Sequence, residues 1–361
     1  MQRTTPLPIL LLNATLLAAA AGAAQQQPSS QSQDMSHMEH MQHGSHGGFM
    51  QEGMAHAVAK GVKLEQTIDA ATHTITVHEG PLSLSAHTSH MKMPQPPDVF
   101  WTIPLDGWLL AYHPRFVDSN GGAVPGQVLH HTAFWNTNRS DFLCPNKEEH
   151  IFGAGSEMND WPAVPGYGYR VRKGDRIRIE TMVHNPTETS YDKAYLEVQI
   201  QYQEADTGAP TIKSVYPAWM DVMSCKDSGY DLSAGESKKT GLVTVKYDGV
   251  LIGVGGHLHD YGRQLVLEDL TKKETVATLD AKVDNQGRLL DTPIVMFLDK
   301  GGYRFHKGDS LRTTASYDNP TGKLLRWGAM GIVVGYFLPD NDAAMAALRR
   351  EKKTVAVNVA H

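Results

Sequence analysis

The chain has 361 residues but only two cysteines, Cys144 and Cys225, and no Lys- or Arg-rich run. Cysteine this sparse excludes a disulfide-dense mini-scaffold and any multi-cysteine metal site; in an oxidising compartment such a pair reads as one structural disulfide. A redox-active pair would need Cys-x-x-Cys spacing, which is missing. The formal net charge of -6, without a basic patch, excludes nucleic acid as a partner, because phosphate binding needs a cationic footprint. Gly-x-Ser-x-Gly, a phosphate loop and a dinucleotide fingerprint in a strand–helix setting are all lacking, which sets aside the commonest hydrolase, kinase and dehydrogenase chemistries.

One long apolar run is present, and it lies at the start. Arg3, the Leu/Ala-rich stretch from Pro8 to Ala21 and the small residues through Ala24 read as a signal peptide over 1–24. The competing reading is an uncleaved anchor, for which the run is short. The mature protein is expected to be secreted or periplasmic, with no membrane span. Residues 25–60 follow as a low-complexity segment that lacks the apolar content to fold alone. It holds Met35, His37, Met38, His40, Met41, His43 and His46, and thioether with imidazole suits copper, Cu(I) above all. The bland alternative is a linker of biased composition.

Hydrophobic residues make up 41% of the chain, enough for two cores of ordinary size. From Val62 the pattern alternates with period two, as in Thr72–Val77, Arg176–Glu180 and Tyr195–Ile200. Turn signals such as Asp118-Ser119-Asn120-Gly121-Gly122 separate the runs. A second series includes Leu242–Val245, Val250–Val254, Leu265–Leu267 and Gly331–Phe337. The expected fold is all-β: two tandem antiparallel β-sandwiches of jelly-roll type over 61–215 and 216–340, with a helical tail over 341–361. The halves echo one another. Arg172-Lys173-Gly174-Asp175 recurs as His306-Lys307-Gly308-Asp309, and His184-Asn185-Pro186-Thr187 as Asp318-Asn319-Pro320-Thr321.

Three histidine features stand out. His257-Leu258-His259 ends a strand, and alternation puts both imidazoles on one face as a two-ligand clip. His130-His131 would point to opposite faces of a regular strand, so sharing a metal requires a bulge there. His184 ends a third strand. Met330 completes a His-His-Met set whose chemistry suits copper, although it reads equally as a core methionine. The competing reading of the histidines is a solvated strand face. Zinc at His257, His259 and Asp260 would leave Met330 without a role.

The order His130-His131, Val183-His184-Asn185-Pro186, His257-Leu258-His259, Gly328-Ala329-Met330 resembles the type II copper monooxygenases, the family of peptidylglycine α-hydroxylating monooxygenase and dopamine β-monooxygenase. Met93-Pro94, Asp106-Gly107-Trp108-Leu109-Leu110 and Pro165-Gly166-Tyr167-Gly168-Tyr169 follow that plan as well, so the likeness covers about residues 80–340. His-His-x-x-Phe and Ala-Gly-Ser-Glu also resemble stress-upregulated nodulin-19 type proteins. The resemblance implies two coppers per chain. His130, His131 and His184 would hold an electron-transfer copper; His257, His259 and Met330 would hold the catalytic one across a solvent-filled cleft. It further implies dioxygen, an external reductant such as ascorbate acting as electron donor, and a small-molecule substrate hydroxylated at a C–H bond.

Two departures bear on the substrate. The family's carboxylate-anchoring Arg, two residues before His-x-His, is here Gly255, and its Tyr four residues past the Met is Val334. Tyr261 and Arg263 stand as candidate replacements. Two other readings remain open: a non-catalytic copper carrier or copper-resistance protein, and a sandwich adhesion or carbohydrate-binding module with incidental histidines.

Overall fold

Alternation drives the strands. In Ser310–Asn319 every second side chain is buried, from Leu311 through Thr313, Ala315 and Tyr317 to Asn319. Gly249–Leu258 is buried on both faces over most of its length, as expected of a strand packed between two layers. The computed structural model describes residues 57–157, 160–205, 208 and 211–349, all within one compact unit. The expected signal peptide and the Met/His residues from Met35 to His46 lie outside the described residues.

The principal strands of the first half are β1 (Lys63–Asp69), β2 (Thr74–Leu84), β3 (Val99–Thr102), β4 (Gly107–Asp118), β5 (Leu129–Ser140), β6 (Glu148–Gly155), β7 (Tyr167–Val171), β8 (Arg176–Val183) and β9 (Tyr191–Glu204). The second half contributes β10 (Tyr216–Asp221), β11 (Gly235–Thr244), β12 (Gly249–Leu258), β13 (Gly262–Asp269), β14 (Glu274–Asp280), β15 (Tyr303–Phe305), β16 (Ser310–Asn319) and β17 (Gly331–Pro339). Except for a short parallel pairing with β7, the ladders between strands are antiparallel. The chain is therefore almost all β.

Strand order repeats between the halves. In the first, one sheet runs β1-β2-β9-β4-β7 and the other β3-β8-β5-β6. In the second, β10-β17-β12, with β15 beside β12, matches β2-β9-β4-β7, and β11-β16-β13-β14 matches β3-β8-β5-β6. The echoed turns form the same bonds. Asp175 accepts from Arg172 N at 2.9 Å, and Asp309 from His306 N at 2.8 Å. Gly174 and Gly308, at φ 85° and 99°, take the left-handed conformation that glycine tolerates, and donate to Ile103 and Val245.

One apolar core fills the first half, around Trp101, Phe134 and Tyr169. Another fills the second, with Phe142, Leu143 and Cys144 reaching into it from the first. A small third cluster joins Ala133 and Trp135 of β5 to Trp219, Met330 and Ile332. Cys144 and Cys225 form the expected disulfide, with a Cα–Cα separation of 5.5 Å, and it ties the β5–β6 loop to the second half. The C-terminal helix, α1 (Asp342–Ala346), ends before Ala347, and residues 350–361 of the expected helical tail lie outside the described residues. Asn341 caps it, and Met345 is buried against the second core. Extended backbone then bridges Arg349 to Arg139, and an Arg349–Asp175 ion pair holds it there. Among the described residues, no helix is long and apolar enough to cross a membrane.

Candidate metal centre

β5 begins with an irregularity. Leu129 pairs with Val183 and His131 with Met182, so β5 carries one residue more than β8, and that residue is His130. This is the bulge the adjacent histidines required. Past it, alternation resumes: Phe134 enters the first core, while Ala133 and Trp135 face the second half. His184 N is held by Val128 O at 3.0 Å, beside the bulge.

His257 lies on β12 opposite Ile332 of β17, and His259 follows two residues on. Its backbone N–H donates to the Tyr317 hydroxyl at 2.9 Å. The two rings of the clip stand 5.3 Å apart, centroid to centroid.

The halves bring these groups together. The His130 ring lies 4.4 Å from His259, 5.0 Å from His131 and 5.2 Å from His184. One ring nitrogen from each of His130, His131 and His259 falls within 4.8 Å of the other two. The grouping thus differs from the one implied by the resemblance: His259 sits against His130 rather than across a cleft from it. The packing of Trp135 on Trp219, Met330 and Ile332 sets β5 against the sheet that carries β12, in which Ile332 pairs with His257. Met330 itself is buried beside Trp135 and Trp219.

Burial holds these imidazoles neutral. The pKa values of His130, His131 and His259 are driven well below the ordinary 6.5, first by desolvation and then by neighbouring histidines. His184 falls to about 4 for the same reason, burial being the largest cause. A neutral ring offers a lone pair. Nε2 of His184, Nε2 of His257 and both ring nitrogens of His259 are buried with no hydrogen-bond partner. Each costs about 1–3 kcal/mol if left unsatisfied. Such donors fit a late transition metal, for which imidazole is a preferred ligand.

Two spaces flank the cluster. An open cleft of about 340 Å³ is lined by His90, His130, His184, His259, Tyr261 and Arg326. A small cavity of about 20 Å³ is bordered by His131, His257, Glu157, Trp161 and Trp219. Of the two candidate anchors, Tyr261 lines the cleft, while Arg263 pairs with Asp318 at 3.1 Å and lines a different surface hollow. At Gly255 a Cβ would come within 3.1 Å of the Trp161 ring, so the indole takes the room an arginine side chain would need.

Four residues here had no site role in the sequence reading, and Glu157 entered it only as the last residue of Ala-Gly-Ser-Glu. His90 stacks on His130 at 4.3 Å with the rings nearly parallel. His150 packs 3.6 Å from Trp219. Glu157 reaches His257, and Arg326 borders the cleft. His90 and Glu157 sit outside regular strands, where no periodicity marks a direction. A comparison with family models and with curated proteins returns no match.

Proposed function

We propose that this is an exported copper protein, a reductant-dependent monooxygenase that hydroxylates a C–H bond of a small molecule bound in the open cleft. The carrying observation is the convergence of His130, His131 and His259 from two halves of the chain beside that cleft, His131 and His259 buried, His130 half-buried, and all three held neutral. His184 and His257 flank the group. Copper held there by His130, His131 and His259 would supply one-electron redox chemistry toward dioxygen, and the protein supplies position and an open face. His90, Tyr261 and Arg326 border the space where the substrate would lie. The matched strand orders support reading the halves as jelly-roll sandwiches over 61–215 and 216–340. The disulfide is consistent with an oxidising compartment.

A second reading, a non-catalytic copper carrier, draws support from Gly255. Trp161 fills the place where the resembling family anchors its substrate.

The test is copper titration of the full chain with the tail residues Met35 through His46 replaced by serine, followed by ascorbate-driven oxygen uptake. Copper is expected to bind and to be lost on His259→Ala. The resemblance implies two per chain, whereas a value of one would make the cluster a single shared site. Oxygen uptake that needs His259 and a substrate supports the monooxygenase; copper without oxygen uptake leaves the carrier. Failure to bind copper at all removes both readings.

A further inference from the structure

Glu157 follows β6 in the first half, and His257 stands on β12 in the second. We infer that Glu157 is the positioning residue of the metal centre, holding His257 with Nδ1 protonated so that Nε2 is free to bind the metal. The inference rests on the copper reading of the same site.

Glu157 Oε1 lies 2.9 Å from His257 Nδ1. A carboxylate oxygen accepts and an imidazole N–H donates, so this contact places the proton on Nδ1. The opposite nitrogen, Nε2, is buried and has no hydrogen-bond partner. Metal-binding histidines are commonly oriented in this way by a carboxylate on the other ring nitrogen.

The carboxylate is itself held. Its side chain is 1% exposed, and Gly155 N donates to Oε1 at 3.0 Å. A Cβ at Gly155 would fall 2.4 Å from His257 Cε1 and 2.5 Å from Glu157 Oε2. The pair therefore occupies the volume that any larger residue at 155 would claim. Both residues border the same 20 Å³ cavity as His131, at the buried side of the cluster. Because the bond crosses between the halves, His257 is set as a donor only when they are docked.

A surface ion pair would leave the ring free to choose its tautomer. Nitrogen-15 NMR of the metal-free protein reads that choice directly. The Nδ1–H form is expected for His257 in the wild type, and loss of that preference in Glu157→Ala. Glu157→Gln retains an accepting oxygen and is expected to restore Nδ1–H. In competition with a chromophoric chelator, copper affinity is expected to fall about 10- to 100-fold in Glu157→Ala and to recover largely in Glu157→Gln. Should Glu157→Ala fail to fold, the wild-type tautomer and the Gln variant decide the matter. An Nε2–H tautomer in the wild type overturns the role of Glu157, as does copper affinity indifferent to a folded Glu157→Ala. No copper binding by the wild type would instead overturn the copper reading beneath it.

Discussion

In the first half, the Asn185-Pro186-Thr187 turn follows His184, which lines the cleft; in the second, the matching Asn319-Pro320-Thr321 turn follows Asp318, which pairs with Arg263 at the surface. The turns themselves are built alike. Asn185 Nδ2 donates to Leu84 O and Thr189 O, and Asn319 Nδ2 to Ser233 O and Lys323 O. In both, the Asn side-chain oxygen accepts from the N–H and hydroxyl of the Thr two residues on. The scaffold is shared while its cargo differs. A buried amide with several bonds constrains backbone, whereas the residue before it is free to become a ligand or a surface charge.

Acid should test most severely whether the halves act as one. His130, His131, His150, His184 and His259 are neutral when folded, with pKa values lowered chiefly by burial. The unfolded chain takes up protons near 6.5 while the native state resists. The contribution of these histidines to the stability of the metal-free protein is therefore complete above 6.5 and lost as pH falls toward 4. Each histidine contributes up to about 1.4 kcal/mol per pH unit in that window. Because the cluster draws on both halves, chemical denaturation at pH 5 should show one transition; two well-separated transitions would break the comparison.

Replacing Cys144 and Cys225 with serine should cost about 2–4 kcal/mol, since the bridge spans 81 residues of sequence and joins the halves. Urea unfolding would measure it, and a biphasic curve would expose the halves as separate units. Asn185→Ala and Asn319→Ala should each cost about 1–3 kcal/mol by orphaning buried partners. Only Asn185→Ala should also weaken copper binding, because His184 is its neighbour; an equal loss from Asn319→Ala would refute the asymmetry. The smallest effect is expected from Asp318→Ala. Its pair with Arg263 is 43% exposed on each side, so the cost should stay below about 1 kcal/mol and shrink further with added salt.

Much of the architecture could be read from the residues. Period-two alternation marked β2, β8 and β9, apolar runs marked β11, β12, β13 and β17, and the paired Lys-Gly-Asp and Asn-Pro-Thr runs marked the repeat. The adjacency of His130 and His131 forced a choice between opposite faces and a bulge, and the bulge is what forms. The run of Ala, Met and Leu carries helical propensity, yet α1 stops at Ala346 because Arg349 pairs back to Arg139.

Local pattern alone determined the strands, the turn chemistry, the cysteine pair and the histidines worth watching. Their grouping was decided by tertiary structure. His130 meets His259, Glu157 meets His257, and Trp161 closes over Gly255, each across roughly a hundred residues of chain. Alternation tells which face a side chain takes within its own sheet, but it carries no information on which other sheet that face will meet. That meeting is fixed by how the surfaces around Trp135, Trp219 and Met330 pack.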